Sequence, residues 1–166
     1  MVYFHKILIP TDLSEFSLAA VEYAASLGLI YTSKLYMLHV VADAPALLSL
    51  HTAEVNPETY NLRVASDSKK ELETFVAKNV GRDIKVIPVV RLGNPADEIK
   101  RFAEEEGIDL IVLATHGRTG VKHMLMGSIA EKVVRLSNIP VLTVKPQPMR
   151  DNILKDEDIE TELHLR

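Results

Sequence analysis

At 166 residues, 47% of them apolar and 25% charged, the chain is long enough for one well-buried core and too short for two ordinary domains, which excludes a disordered or fibrous protein. Nineteen basic against twenty-three acidic residues give a formal charge of -4 with no concentrated basic stretch, so nucleic acid is excluded as the main partner. With no cysteine, disulfides, thiolate nucleophiles and sulfur-ligated metals are excluded too.

The first ten residues lack the basic start and small-residue cleavage site of a secretory signal, and no apolar run reaches the roughly 20 residues of a membrane span. A cytoplasmic protein with no membrane partner is expected. Residues 7–9 are apolar and end at Pro10, the pattern of a short strand buried on both faces. Ser14 then precedes Glu15 and the series Leu18, Val21, Tyr23, Ala24, Ala25 and Leu27. That spacing predicts a one-sided helix from 15 to about 30.

Residues 34–41, rich in Leu, Tyr and Val, read as a second strand, followed by an irregular apolar segment over 42–55. Asn56-Pro57 is a cap with proline in the first turn, and Leu62, Leu72, Phe75 and Val76 carry a long second helix to Gly81. Residues 84–90 form a third strand. Gly93-Asn94-Pro95 repeats the cap-plus-proline device and opens a third helix, which Gly107 closes.

Residues 108–114 are the clearest strand, short and apolar enough for a central parallel position. Ser128-Ile-Ala-Glu131 matches a capping box, in which serine and glutamate satisfy each other's backbone donors, so a fourth helix is expected to begin there. Residues 138–144 form the fifth strand, and Pro146 with Pro148 ends regular pairing. Five strands alternating with four helices predict a parallel sheet with helices on both faces, a Rossmann-like three-layer α/β sandwich. Periodicity does not order the strands.

Open parallel sheets bind ligands at the carboxyl ends of their strands. Here the first strand delivers Pro10, Thr11 and Asp12, and the fourth delivers Ala114-Thr-His-Gly117, then nine residues and Gly127-Ser128. A glycine ahead of a helix start would let a phosphate approach unpaired N–H groups, so Gly127-Ser128 is a candidate phosphate seat. A turn and a simple cap are the other reading of the same pair. Neither G-x-G-x-x-G nor the Walker pattern with its lysine is present around Gly117 and Gly120.

A carboxylate beside a triphosphate repels it, so Asp12 would meet a ribose hydroxyl or a magnesium ion carried by the bound nucleotide. Capping the first helix together with Ser14 explains it equally well. His116 could reach a phosphate, yet no carboxylate stands near it in sequence, and the six histidines show no ligand spacing for a dedicated metal site. Arg118, Lys122 and His123 either form a basic rim or are solvated surface charge. No G-x-S-x-G elbow marks a nucleophile, and no catalytic residue is assigned.

The run Ala114-Thr-His-Gly117, nine residues, Gly127-Ser128 resembles the nucleotide pattern G-x-x-G, nine residues, G-S/T of the universal stress protein family, with Ala114 standing for the first glycine. The resemblance extends to Ile7-Leu-Ile-Pro-Thr-Asp12 with Ser14, to His39-Val40-Val41 and to Ser137-Asn-Ile-Pro-Val-Leu-Thr-Val144, and covers roughly residues 3 to 145. It implies the ATP-binding branch, with the adenine nucleotide alpha hydrolase-like strand order 3-2-1-4-5. It also implies a site in which Gly117, Gly127 and Ser128 hold phosphates and ribose, flanked by Ala114, His116, Arg118 and Ile129. Pro10, Thr11, Asp12 and the Val40 backbone would line the adenosine side.

On that resemblance the expected ligand is ATP, ADP or AMP, with magnesium accompanying the nucleotide, and the expected role is a nucleotide-responsive regulatory or stress-response protein with a partner protein of unknown identity. A nucleotide-free dimeric interaction module and a slow ATP-hydrolysing or adenylate-transferring enzyme are the alternatives. Residues 141–144, if at the sheet edge, would expose an apolar strand that a second copy could cover, and the family implies a homodimer through it. Residues 1–145 are expected to form the domain and 146–166 an acidic tail. Within the tail Ile153, Leu154, Ile159 and Leu163 are spaced for a short amphipathic helix, with disorder as the alternative.

Overall fold

The computed structural model describes residues 2–42, 57–81, 84–116 and 126–146. Along the chain these form β1 (Lys6–Thr11), a 3-10 turn (Glu15–Ser17), α1 (Leu18–Tyr31), β2 (Lys34–Val41), α2 (Pro57–Asn79), β3 (Val86–Leu92), α3 (Pro95–Glu106), β4 (Leu110–Ala114), α4 (Ser128–Leu136) and β5 (Val141–Val144). The segment 43–55 and the tail from 147 lie outside the described residues. No described helix is long and apolar enough to cross a membrane.

All five strands are parallel, in the order β3-β2-β1-β4-β5. Side chains alternate across the sheet. Ile7, Ile9, Leu35, Met37 and Val112 pack with Ala20, Val21 and Ala24 of α1 and Leu72 of α2. Leu8, Tyr36, Leu38, Ile111 and Leu113 pack with Ile99, Phe102 and Ala103 of α3 and Ala130 and Val133 of α4. Helices therefore cover both faces, giving the expected three-layer sandwich. Strands buried on both sides explain why 7–9 and 110–113 read as unbroken apolar runs.

Several boundaries differ from the sequence reading, each for a local reason. β1 does not end at Pro10 but continues to Thr11, because its pairing with β2 runs to Thr11↔His39 while its pairing with β4 stops at Leu8↔Ile111. Proline costs a strand little where one neighbour has already departed. The first helix opens as a 3-10 turn and becomes α-helical only at Leu18. β3 begins two residues late, at Val86, and extends to Leu92.

β4 starts at Leu110; just before it Asp109 is tied to β1 by its own N–H, which donates to Lys6 O (2.9 Å), and by its carboxylate, which accepts the N–H groups of His5 (2.7 Å) and Lys6 (2.9 Å). β5 starts at Val141. Ser137 closes a turn just before it, donating its hydroxyl to Ile139 O (2.9 Å) and accepting Ile139 N–H (3.0 Å).

Candidate functional site

β1 and β4 are neighbours, yet the chain leaves them in opposite directions, to β2 on one side and to β5 on the other. They pair only through Ile7↔Leu110 and Leu8↔Ile111. Beyond that, the last residues of β1 stay with β2 and those of β4 stay with β5, up to Ala114↔Val144. The sheet parts at its carboxyl end at a topological switch point, where a ligand crevice is expected.

On one side of the parting lie Pro10, Thr11 and Asp12. Thr11 is buried and its hydroxyl is fully engaged: Ser17 donates to Ser14 O (2.7 Å), Thr11 donates to Ser17 Oγ (2.8 Å), and Leu13 N–H donates to Thr11 Oγ1 (3.0 Å). This relay folds the loop back on itself, and Leu13 takes a left-handed φ of 64° within it. Asp12 Oδ1 accepts both the N–H (3.1 Å) and the hydroxyl (2.5 Å) of Ser14. Asp12 thus braces Ser14 at the cap position, while no side chain caps the first turn itself.

His39, at the end of β2, donates Nδ1–H to the Thr11 carbonyl at 2.9 Å. A carbonyl can only accept, which fixes the proton on that nitrogen. Sequence reasoning gave this histidine no role. Val40, half-buried, packs its side chain on the α3/α4 side.

Across the parting stand Ala114, Thr115 and His116. Ala114 ends β4 with none of the positive φ that the glycine of the pattern would permit, so alanine fits there without strain. Thr115 is the hub. Its N–H donates to Val144 O (2.9 Å), its carbonyl accepts Gly127 N–H (2.6 Å), and its hydroxyl bonds His116 Nδ1 (2.9 Å). Thr115 and His116 are 3% and 8% exposed, so this hydroxyl–imidazole bond is buried within the fold.

The start of α4 corrects the capping-box reading. Gly127, with φ -66° and ψ 150°, occupies the cap position, Ser128 is the first helical residue, and no side-chain bond caps the helix. The reason is packing: a Cβ on Gly127 would lie 3.2 Å from the Thr115 carbonyl oxygen, so only glycine brings the helix this close to β4. The first intrahelical bond is Glu131 N–H to Gly127 O, at 2.9 Å. The N–H groups of Ser128, Ile129 and Ala130 therefore have no partner within the helix, and both Ser128 and Ile129 are exposed. Helix geometry gives this end partial positive charge.

Gly117, Arg118, Gly120, Lys122 and His123 lie outside the described residues. No three His, Asp or Glu side chains among the described residues are grouped to hold a metal ion. A magnesium ion at Asp12 would need most of its oxygens from a nucleotide.

Comparison with known proteins agrees with this geometry. Residues 3–145 match the sequence profile of the Universal stress protein family. Universal stress protein MJ0577 of Methanocaldococcus jannaschii is 31% identical over 157 residues, covering 87% of this chain and 96% of that protein. The solved structure of MJ0577 superposes with a TM-score of 0.72 at 29% identity, over 88% of this chain and 99% of the other. Two more distant structures share the fold: a universal stress protein in complex with cAMP, at 23% identity and TM-score 0.56 over 86% and 98% of the two chains; and one from Archaeoglobus fulgidus in complex with dAMP, at 18% and 0.55 over 87% and 100%.

Proposed function

Because this chain belongs to the universal stress protein family, we propose that the parting between β1 and β4 binds an adenine nucleotide, ATP or its di- or monophosphate. The observation that carries the reading is the start of α4, docked on Thr115 through Gly127 with its free N–H groups exposed beside the strand ends. Phosphate oxygens are the ligand chemistry such a helix start attracts. Proteins of the same fold that hold cAMP and dAMP support an adenine ligand.

In this arrangement Ser128 and Ile129 offer backbone donors to the phosphates beside Gly127, whose own N–H is held by the Thr115 carbonyl, and Gly117 and Arg118 would join them on the phosphate side. Pro10, Asp12 and the Val40 backbone line the nucleoside side. Thr11 contributes its backbone, since its hydroxyl is already engaged. Magnesium enters with the phosphates. Occupancy of the crevice would signal to a partner protein, and a second copy would pair through the edge of β5.

Acid release from purified protein, followed by chromatography and calorimetric titration with ATP, ADP and AMP, tests the ligand. Gly127→Ala should weaken binding about tenfold, because a Cβ 3.2 Å from the Thr115 carbonyl oxygen pushes the helix start and its free donors aside. Stability should fall modestly: alanine accepts this φ and ψ, but its Cβ crowds a backbone oxygen that has to give way. A protein that releases no adenosine phosphate and gives no heat with millimolar ATP would sink the reading.

A further inference from the structure

The backbone of β1 faces its two neighbours in turn. Lys34 N–H bonds His5 O (2.8 Å) on the β2 side, and Asp109 N–H bonds Lys6 O (2.9 Å) on the β4 side. Odd-numbered residues of β1 therefore turn their backbone groups to β2 and even-numbered ones to β4. Past Leu8↔Ile111 β4 has drawn away, so the even-numbered groups face the parting. Pro10 presents its carbonyl there, and the peptide unit between Thr11 and Asp12 lies at the rim.

The ladder cannot hold that last unit alone, because β1 ends at Thr11 and Leu13 follows at a left-handed φ of 64°. A non-glycine residue keeps such a backbone only where its surroundings enforce it. Two tethers belong to the loop itself: the hydroxyl relay from Thr11 to Ser17, and the bonds of Asp12 to Ser14. The third comes from β2, where His39, the register partner of Thr11, donates Nδ1–H to the Thr11 carbonyl at 2.9 Å. A trans peptide points its N–H away from its carbonyl. Fixing the Thr11 carbonyl on the β2 side thus turns the Asp12 N–H toward the parting. By strand alternation the His39 side chain lies on the side of Leu35 and Met37, which pack under α1, whereas Val40 packs on the α3/α4 side. His39 therefore works from behind β1, through Thr11.

We propose that His39 is the positioning residue of the nucleoside side. By holding the Thr11 carbonyl it aims the Thr11–Asp12 peptide unit at the nucleoside, while the phosphate side, built on the start of α4, is independent of it. The assignment rests on the adenine-nucleotide reading above and adds a division of labour between the two sides of the parting. It also defines the chemistry required at position 39, a donor at the place of Nδ1. The side-chain amide of asparagine supplies one there, and leucine has similar bulk without a donor.

The test measures ATP binding by calorimetry, and displacement of ATP by tripolyphosphate, for the wild type, His39→Leu and His39→Asn, with urea midpoints to confirm folding. His39→Leu is expected to bind ATP about tenfold more weakly and tripolyphosphate within about twofold of the wild type. His39→Asn should recover ATP binding to within about threefold of the wild type. Should His39→Leu not fold, His39→Gln replaces it, since its amide falls near Nε2 and misses the carbonyl. Wild-type affinity for ATP in His39→Leu overturns the assignment and leaves the adenine-nucleotide reading standing. Equal loss of ATP and tripolyphosphate, or a folded His39→Asn as weak as His39→Leu, overturns it as well. A wild type that binds ATP but not tripolyphosphate removes the independent phosphate side on which the assignment depends, and one that binds neither ends both the assignment and the reading.

Discussion

Thr115 bonds to Val144, Gly127 and His116 at once, and nothing in its place in the sequence marks it out. A threonine between Ala114 and His116 looks like a spacer in a loop motif; its importance comes from three elements meeting there. Gly127 was legible as a glycine at a helix start, but its cause, the approach to the Thr115 carbonyl, depends on tertiary packing. Thr32 shows the reverse case, a residue unfavourable for its backbone. It caps α1 in the left-handed region at φ 57° and ψ 41°, where a β-branched side chain is strained and glycine is preferred. Thr32→Gly should raise stability by about 0.5–1 kcal/mol, read as a higher urea midpoint at unchanged slope.

Among the elements, α3 was the most legible because every local signal agrees. Asn94 accepts from the N–H groups of Ala96 (3.1 Å) and Asp97 (3.5 Å), Pro95 occupies the first turn, and Gly107 ends the helix at φ 62°. Replacing Asn94 by Ala should cost about 1 kcal/mol in chemical denaturation. The strand ends were less legible, since Asp109 and Ser137 border them with side-chain bonds that periodicity does not register. The capping box failed for a related reason. Ser128-Ile-Ala-Glu131 fits the motif, but Gly127 sits at the cap once α4 is drawn onto β4.

At the scale of the whole molecule, alternation of strand and helix predicted the three layers but left the strands unordered. The order β3-β2-β1-β4-β5 followed from family resemblance, because strand order depends on contacts distant in sequence. The crevice inherits that dependence: the ends of β1 and β4 border one parting only because the two strands are neighbours. A ligand that binds the folded domain alone should stabilise all of it together. Adenine nucleotide at a hundred times its dissociation constant should add about 2.7 kcal/mol, seen as a melting temperature raised by roughly 5–10 °C.

The single peptide unit on either side of Thr115 reaches both the anchor of α4 and the last carbonyl of β5. The two surfaces thus stand on a common pillar one residue wide, and a tilt of that residue displaces both. A substitution there should not injure one and spare the other, whereas changes at Asp12 or in α1 can be felt on one side only.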